Sequence, residues 1–485
     1  MYQNFQKING LHPWRRVSPD GYVDYFARIL PGGRVLYFNF PLAKELQLIP
    51  KDHPHQLNPR LEKIILATFS LRIINEYDLK HKIRYPSSQI KPQPYMATRY
   101  LQLQHKSKRG LTSGDGRSIW GGFIKTPKMT FDLSSCGTGA TILSPGYQEA
   151  GRPVKSGDDR YGYASGLADV DEMISNAIMS EIFYREGIPT ERCLLVIAYP
   201  DKTAFGVRAA PNLVRPAHLF RYLKMNARED LKASLDYFMK RQEENKTIAL
   251  PRSGRARYKK VLEYFAGTYA KLAALMEEEY IFNWLAWDGD NMLASGALLD
   301  YGSIRRFAAK HSKYRYEDVD RFSTSLTEQK IETKKIVQAF AQAIDLVVTG
   351  KKKPFARFAR HRSLAIFERS FRSESYRRML RRAGFTVEQS EDLRQNHFSK
   401  VSAFSRMVDY FEDVKTSKGQ RPVGDGIDHP PVFLIRDILR ELPIYIYFNW
   451  HHASSKGWPV MPPEVFCKIM AASYANKEDR TLTPH

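Results

Sequence analysis

An α+β fold in two unlike lobes is predicted from three features of the chain. Short β-rich runs broken by glycine fill the sequence before about residue 216, long helical periodicities follow it, and a carboxylate-rich loop comes just after the longest of those helices. The 485 residues, 43% hydrophobic and 12% aromatic, suffice for one large or two to three ordinary domains with real cores.

Taken in order, residues 1–105 read as an N-terminal extension or lobe, with a strand in Arg34-Val-Leu-Tyr-Phe-Asn-Phe40 and a helix from Leu61 to about Tyr77. Residues 106–216 form the strand-rich half. Gly110 to Gly166 is dense in glycine, and Ser113-Gly-Asp-Gly-Arg-Ser118 and Ser134-Ser-Cys-Gly-Thr-Gly139 flank alternating apolar stretches. A polar loop containing Lys155-Ser-Gly-Asp-Asp-Arg160 precedes a helix from about Asp169 to Glu186, which Gly187 ends. Arg192–Ala198 and Thr203–Arg208 then read as paired strands. Residues 217–350 are helical; from Val261 to Tyr280, Leu262, Phe265, Tyr269, Leu272 and Met276 fall on one stripe. A mixed lobe followed by a helical one, with a helix leading into a carboxylate loop, is the order of a protein-kinase-like fold.

Residues 351–485 form a basic helical C-terminal region. The formal charge is +23, from 75 Lys and Arg against 52 Asp and Glu. Much of the excess lies in Lys351 to Arg382, where twelve cations face only Glu368 and Glu374 while Phe355, Phe358, Leu364, Phe367, Phe371 and Leu380 recur at mostly helical spacing. The pattern fits amphipathic helices with a basic outer face, either a solvated surface or a contact for polyanions such as nucleic acid. Cys136, Cys193 and Cys467 are widely spaced, against a disulfide framework or thiolate zinc site. With no apolar leader and no membrane-length apolar run, a soluble cytoplasmic protein is expected.

The most informative stretch is Asp288-Gly-Asp-Asn-Met-Leu-Ala-Ser-Gly-Ala-Leu-Leu-Asp-Tyr-Gly302. An Asp-Asn pair in a tight loop, then an apolar run ending in Asp-Tyr-Gly, reads as a short hairpin presenting oxygen ligands to Mg²⁺, with phosphates and waters completing the octahedron. Kinases hold their metals with a catalytic-loop Asn and a strand-end Asp in the same way. An ordinary solvated turn has the same composition.

Together these segments resemble the SelO family (selenoprotein O and its bacterial relatives), pseudokinase-like protein adenylyltransferases. The likeness is distant but ordered, from about Arg34 to Thr333. It rests on Leu36-Tyr-Phe-Asn-Phe-Pro-Leu-Ala-Lys-Glu-Leu46, Ser113-Gly-Asp-Gly-Arg117, Ser180-Glu-Ile-Phe-Tyr-Arg-Glu-Gly-Ile-Pro-Thr190, the seven-residue spacing of Arg208 and Arg215, Asp290-Asn-Met292 and Asp300-Tyr-Gly302.

The resemblance implies ATP bound in reverse, so that AMP moves to a Ser, Thr or Tyr hydroxyl of a protein substrate. Arg208 and Arg215 would hold the distal phosphates, Asn291 and Asp300 would ligate Mg²⁺ or Mn²⁺, and Asp290, kept ionised by the metal, would orient or deprotonate the acceptor. Gly114, Gly116, Arg117, Asp158 and Asp159 would contact the nucleotide, as would Asp300.

The departures are specific. Ser134 stands at the phosphate-binding lysine, Asn176 at its helix carboxylate partner and Trp284 at a family His; Asp159 replaces a glycine, and Asp288 is an extra carboxylate. The cysteine or selenocysteine tail of many relatives is missing. A replacement cation is sought in Lys125, Lys128 or Lys155. Three readings remain open: an active adenylyltransferase, a nucleotide-binding pseudoenzyme that regulates a partner, and a basic nucleic-acid-binding protein. Glutamylation through an acyl-adenylate would use the same nucleotide geometry.

Overall fold

Eleven strands and twelve α-helices are present in the computed structural model, which describes residues 2–105, 108–306 and 326–412 together with the single positions 462 and 464. The fold is mixed α+β. Of the C-terminal region, Cys467 and every other residue after 412 except 462 and 464 lie outside the described residues.

The strands are β1 (Tyr22–Tyr25), β2 (Ala27–Ile29), β3 (Arg34–Phe38), β4 (Leu71–Ile73), β5 (Tyr95–Thr98), β6 (Ser118–Lys125), β7 (Thr130–Cys136), β8 (Arg192–Ala198), β9 (Ala204–Ala210), β10 (Ile281–Phe282) and β11 (Arg305–Arg306). Seven of them form one antiparallel sheet in the order β1-β5-β6-β7-β9-β8-β3, while β2 pairs with β4 and β10 with β11. The first hundred residues thus contribute β1, β3 and β5 to the same sheet as β6 to β9.

Strand alternation sorts this sheet into two faces. Phe131, Leu133, Phe205, Val207 and Ala209 point into a core shared with Leu42 and Ala43 of α1 (Phe40–Glu45) and Leu61, Ile65 and Phe69 of α2 (Pro59–Phe69). The opposite face carries a polar row, with Ser134 in register with Trp120 on one side and Arg208 on the other. Beside that row, Cys193, Val196 and Ala204 pack on Met173 and Ala177 of α5 (Val170–Arg185).

The single helix expected from Leu61 to Tyr77 is broken. Helix α2 stops at Phe69, Leu71–Ile73 becomes β4, and α3 (Glu76–Lys80) begins afresh behind the Asn75 capping box. The Ser70 hydroxyl donates to Leu30 O at 2.5 Å, and β4 pairs with β2, so tertiary pairing overrides helical periodicity. The 169–186 helix appears as α5, followed by Gly187 at φ +72.

The remaining helices are α4 (Pro145–Ala150), α6 (Pro216–Met225), α7 (Arg228–Glu244), α8 (Gly254–Glu278), α9 (Leu326–Thr349), α10 (Arg362–Arg382), α11 (Val387–Asn396) and α12 (Phe398–Glu412). The chain divides into two compact units: Met1–Phe265 with Asp288–Gly302 and Ile336–Ser363, and Ala266–Trp287 with Ser303–Lys335 and the chain from Leu364 onward. The sheet and the Asp288–Gly302 loop belong to the first.

In the second unit, much of the basic charge of α10 is paired. Arg377 and Arg378 bind Glu374 at 2.5 and 2.9 Å, Arg378 and Arg306 reach Glu279 at 3.4 and 2.8 Å, and Arg382 meets Glu278 at 3.0 Å. Glu278 at the end of α8 and Glu279 just beyond it therefore supplement Glu374, while Glu368 pairs with Lys330 and Lys334 of α9 at 3.3 and 2.7 Å. Phe367, Phe371 and Leu380 are buried as their spacing predicts, and Arg369, Arg372 and Arg381 are exposed. Among the described residues, no helix is long and apolar enough to cross a membrane.

Candidate functional site

The Asp288–Gly302 segment folds back on itself. Met292 bridges Leu298 in antiparallel sense, and Leu293 N–H donates to Ala297 O at 2.9 Å. Counting outward from that bridge sets Asp290 opposite Asp300 at the open end of the hairpin.

A strap from the segment after α5 fixes this hairpin. Thr190 bridges Leu298 in parallel sense, Leu298 N–H donates to Pro189 O, and Glu191 N–H donates to Leu298 O. The Tyr301 hydroxyl meets Thr190 Oγ1 and donates to Glu191 O at 3.0 Å. Two segments more than a hundred residues apart thereby form one assembly. Ser180, in the block preceding the strap, accepts from Cys193 N–H at 3.1 Å and ties α5 to β8.

Glu191 links the loop to the sheet. Its carboxylate accepts from Asp300 N–H at 3.3 Å and lies 3.3 Å from Arg208, which projects from the polar face of β9. Burial opposes the charge on Arg208, but Glu191, Cys136 and Asp115 together outweigh that opposition and favour the charged guanidinium. Asp300 itself holds the left-handed conformation, φ +63, a geometry Asp tolerates better than most residues.

Arg215 stands at the start of α6, buried, with its guanidinium 4.5 Å from the Tyr100 ring centroid, donating to Asp290 O and lying 4.0 Å from Asp115. Tyr100 lies within the electrostatic reach of Arg215, Asp115, Asp290 and Arg208, so both arginines converge on one neighbourhood.

Asp115, the acid of the Gly-Asp-Gly-Arg loop, is held from behind. Its Oδ2 accepts from Thr98 N–H at 2.9 Å, Thr98 Oγ1 at 2.6 Å and Trp120 Nε1 at 3.1 Å. His218 Nδ1 accepts the Arg215 N–H at 2.9 Å, so Nε2 carries the proton and donates to Thr98 Oγ1 at 2.9 Å. Burial and the Arg215 charge keep this histidine neutral, far below its ordinary pKa.

The Asp290 carboxylate accepts from Gln102 and Gln104 at 3.3 and 3.4 Å, and Asp288 accepts Leu103 N–H at 2.8 Å. Burial raises the Asp290 carboxyl above the usual carboxylate range; Arg215 opposes the rise and Asp300 adds to it. Burial and Asp290 push Asp288 well above that range. In the polypeptide alone, the balance at Asp290 thus runs opposite to the ionised state expected from its place beside a metal.

These observations fit a divalent cation. Asn291 and Asp300 offer hard oxygens, and the Asp300 charge that raises the Asp290 carboxyl would be relieved by a shared positive ion. Among the described residues, no cluster of three or more His, Cys, Asp and Glu side chains could cage a metal. Magnesium sites built from one or two protein oxygens plus substrate phosphates need no such cage.

Other expected residues are placed differently. An ideal Cβ at Gly114, φ +156, would lie 2.1 Å from Thr98 O, and one at Gly116 would lie 2.8 Å from Ser144 Cα, so close packing against the protein's own backbone accounts for both glycines. Asp158 pairs with Arg160 at 2.6 Å, and Asp159 is exposed; among the described residues, no hydrogen bond or ion pair ties either to Arg208, Arg215 or Asp290. Lys125, Lys128 and Lys155 are all exposed. Arg117 instead makes a two-pronged pair with Glu172 at 2.9 and 2.5 Å.

Neither the protein-family models nor the curated proteins give a match to this chain.

Proposed function

We propose that the chain is a divergent SelO-like protein adenylyltransferase with a kinase-like two-lobed architecture. The observation that carries this reading is the gathering of Arg208, Arg215, Asp290 and Asp300 around Tyr100, Asp115 and Glu191 within a single unit. The topology also supports it: α5 is inserted between β7 and β8 and packs on the sheet, as a kinase helix follows its lysine strand.

On this reading, Arg208 and Arg215 grip the phosphates of ATP through paired donors. Asn291 and Asp300 hold Mg²⁺ or Mn²⁺, which neutralises phosphate charge when bound. The acceptor oxygen of a protein Ser, Thr or Tyr forms a bond to the α-phosphorus, the bond from that phosphorus to the bridging oxygen breaks, and pyrophosphate leaves. Asp290 takes the hydroxyl proton. Its raised pKa suits a base, and Gln102 and Gln104 hold its carboxylate.

With α-labelled ATP, Mg²⁺ or Mn²⁺ and a protein acceptor, label should enter protein and be lost in Asp300→Ala. Transfer of a γ-label instead would mean kinase chemistry and would sink this assignment. A second reading, a nucleotide-binding pseudoenzyme, is favoured by Ser134 and Asn176 at the lysine and carboxylate positions. Its mark is a rise in Tm with ATP and no transfer under either metal. The basic surface of 351–382 remains open to polyanions as a third property.

A further inference from the structure

Arg221 of α6 is a guanidinium buried without an acid to answer it. Its side chain is 1% exposed, and it forms no ion pair among the described residues. Its Nε donates to Gly110 O at 2.6 Å, while its buried Nη1 has no hydrogen-bond partner. The next carbonyl along, Leu111 O, accepts from Nη1 of Arg99, which also forms no ion pair among the described residues. Two positive charges therefore flank the same two-residue stretch of backbone. Burial lowers the pKa of both arginines; the Arg221 charge adds to this at Arg99, and Tyr222, Asp20 and Asp230 offset it in part at Arg221.

Further donors meet at the same place. The Arg221 guanidinium lies 4.9 Å from the Tyr222 ring centroid. The Tyr222 hydroxyl and Trp14 Nε1, each on a side chain 1% exposed, lack a hydrogen-bond partner among the described residues. A carbon added at Gly21 would lie 2.8 Å from that hydroxyl and 3.6 Å from that indole nitrogen, so both border the space beside Gly21. Gly21 O in turn accepts from Arg99 N–H at 2.9 Å, which brings the contacts back to the first pair.

A buried water can satisfy orphan donors, but it leaves two desolvated positive charges uncompensated. A dianion answers both needs. Phosphate carries roughly −1.5 to −2 at neutral pH and spreads its acceptor oxygens in three dimensions, as hydroxyl, indole and guanidinium donors from separate elements require. The place is separate from the Asp290 neighbourhood: Thr98 and Tyr100 turn toward Asp115 and Arg215, and Arg99 between them points to the other side of the strand. Entry is from the side of half-buried Arg99 and exposed Leu111.

We propose that Arg99, Arg221, Tyr222 and Trp14 form a binding site for a phosphate group, independent of the nucleotide reading above.

The test is binding of inorganic phosphate to the full chain, at constant ionic strength with chloride as the balancing ion. It is read by equilibrium dialysis and by the indole N–H resonance of Trp14, assigned with Trp14→Phe. Phosphate should bind and move that resonance. Arg221→Met should weaken phosphate by roughly tenfold or more and Tyr222→Phe by roughly threefold, whereas Arg208→Ala, on the candidate nucleotide face, should leave it within about twofold. Glycerol 3-phosphate separates two sources of the group. Binding of both probes marks the phosphate end of a larger molecule, binding of inorganic phosphate alone marks the free ion, and either supports the site. The proposal is overturned if neither probe binds, if Arg208→Ala abolishes binding while Arg221→Met preserves it, or if saturating phosphate leaves the Trp14 resonance in place. Should Arg221→Met not fold, Tyr222→Phe and the Trp14 resonance decide the matter.

Discussion

Asp132 shows how a single carboxylate on the sheet's polar face governs stability. It is fully buried, with His12 at 2.9 Å, Arg241 at 2.6 Å and Leu213 N–H at 3.0 Å. Burial alone would raise this carboxyl, but Arg241 and then His12 outweigh it and hold it down to about 2, below the ordinary 3.8. A depressed folded pKa stabilises the protein above the unfolded value and loses that contribution as pH falls through the folded one. Stability should therefore drop between about pH 4 and pH 2, and Asp132→Asn should flatten that limb in thermal unfolding measured across the range. At neutral pH the same variant should be destabilised by about 3–5 kcal/mol, because Arg241 is left buried without its counter-charge. Neutral His218 works in the same sense: its folded pKa lies far below the ordinary 6.5, so protonation during acidification also favours the unfolded chain.

The loops and strands around the site are tightly determined as elements. Gly114 joins the segment after β5 to the Gly-Asp-Gly-Arg turn, and there is no room for a methyl group against Thr98 O. Gly114→Ala should cost about 2–4 kcal/mol and shift Arg215 by displacing Asp115, lowering both Tm and ATP affinity. Gly151→Ala, at φ +62 with nothing within 4 Å of the added carbon, should cost only about 1 kcal/mol, an αL penalty without a clash, and leave affinity unchanged. Equal losses in denaturant titrations of the two variants would count against this account. Helix α5 acts as a brace, with Glu172 reaching Arg117 near its start and Glu181 reaching Arg192 of β8 at 2.8 Å near its end.

At the scale of the whole chain, a charge of +23 predicts weak, salt-sensitive binding to polyanions whatever the catalytic activity. Pairing with Glu278, Glu279, Glu374 and Asp345 removes part of the excess in 351–382, whereas Glu368 is taken by Lys334 and Arg357, Arg360, Arg362, Arg369 and Arg372 stay exposed. Reversing the charge of Arg369 and Arg372 should lower the slope of log affinity against log salt for single-stranded RNA by roughly one to two, with no change in ATP affinity. An unchanged slope would mean that this face is only a solvated surface.

Local patterning was enough to recognise the strand-rich first half, α5 and its glycine stop, the apolar stripe of α8 and the amphipathic 355–380 segment, because periodicity and punctuation are carried by near neighbours. Spacing in the 288–302 stretch nominated Asp290 and Asp300, and the family resemblance joined Arg208 and Arg215 to them. Their partners were invisible there. Gln102 and Gln104 reach Asp290 across 188 and 186 residues, Glu191 meets Asp300 across 109, and Thr98 meets His218 across 120, with no local spacing to announce any of them. The break after Phe69 depended likewise on the strand that pairs with β4. Side-chain type and spacing can nominate chemistry, but pairing across a fold is a property of three-dimensional proximity, which burial and strand register impose only after the chain has closed on itself.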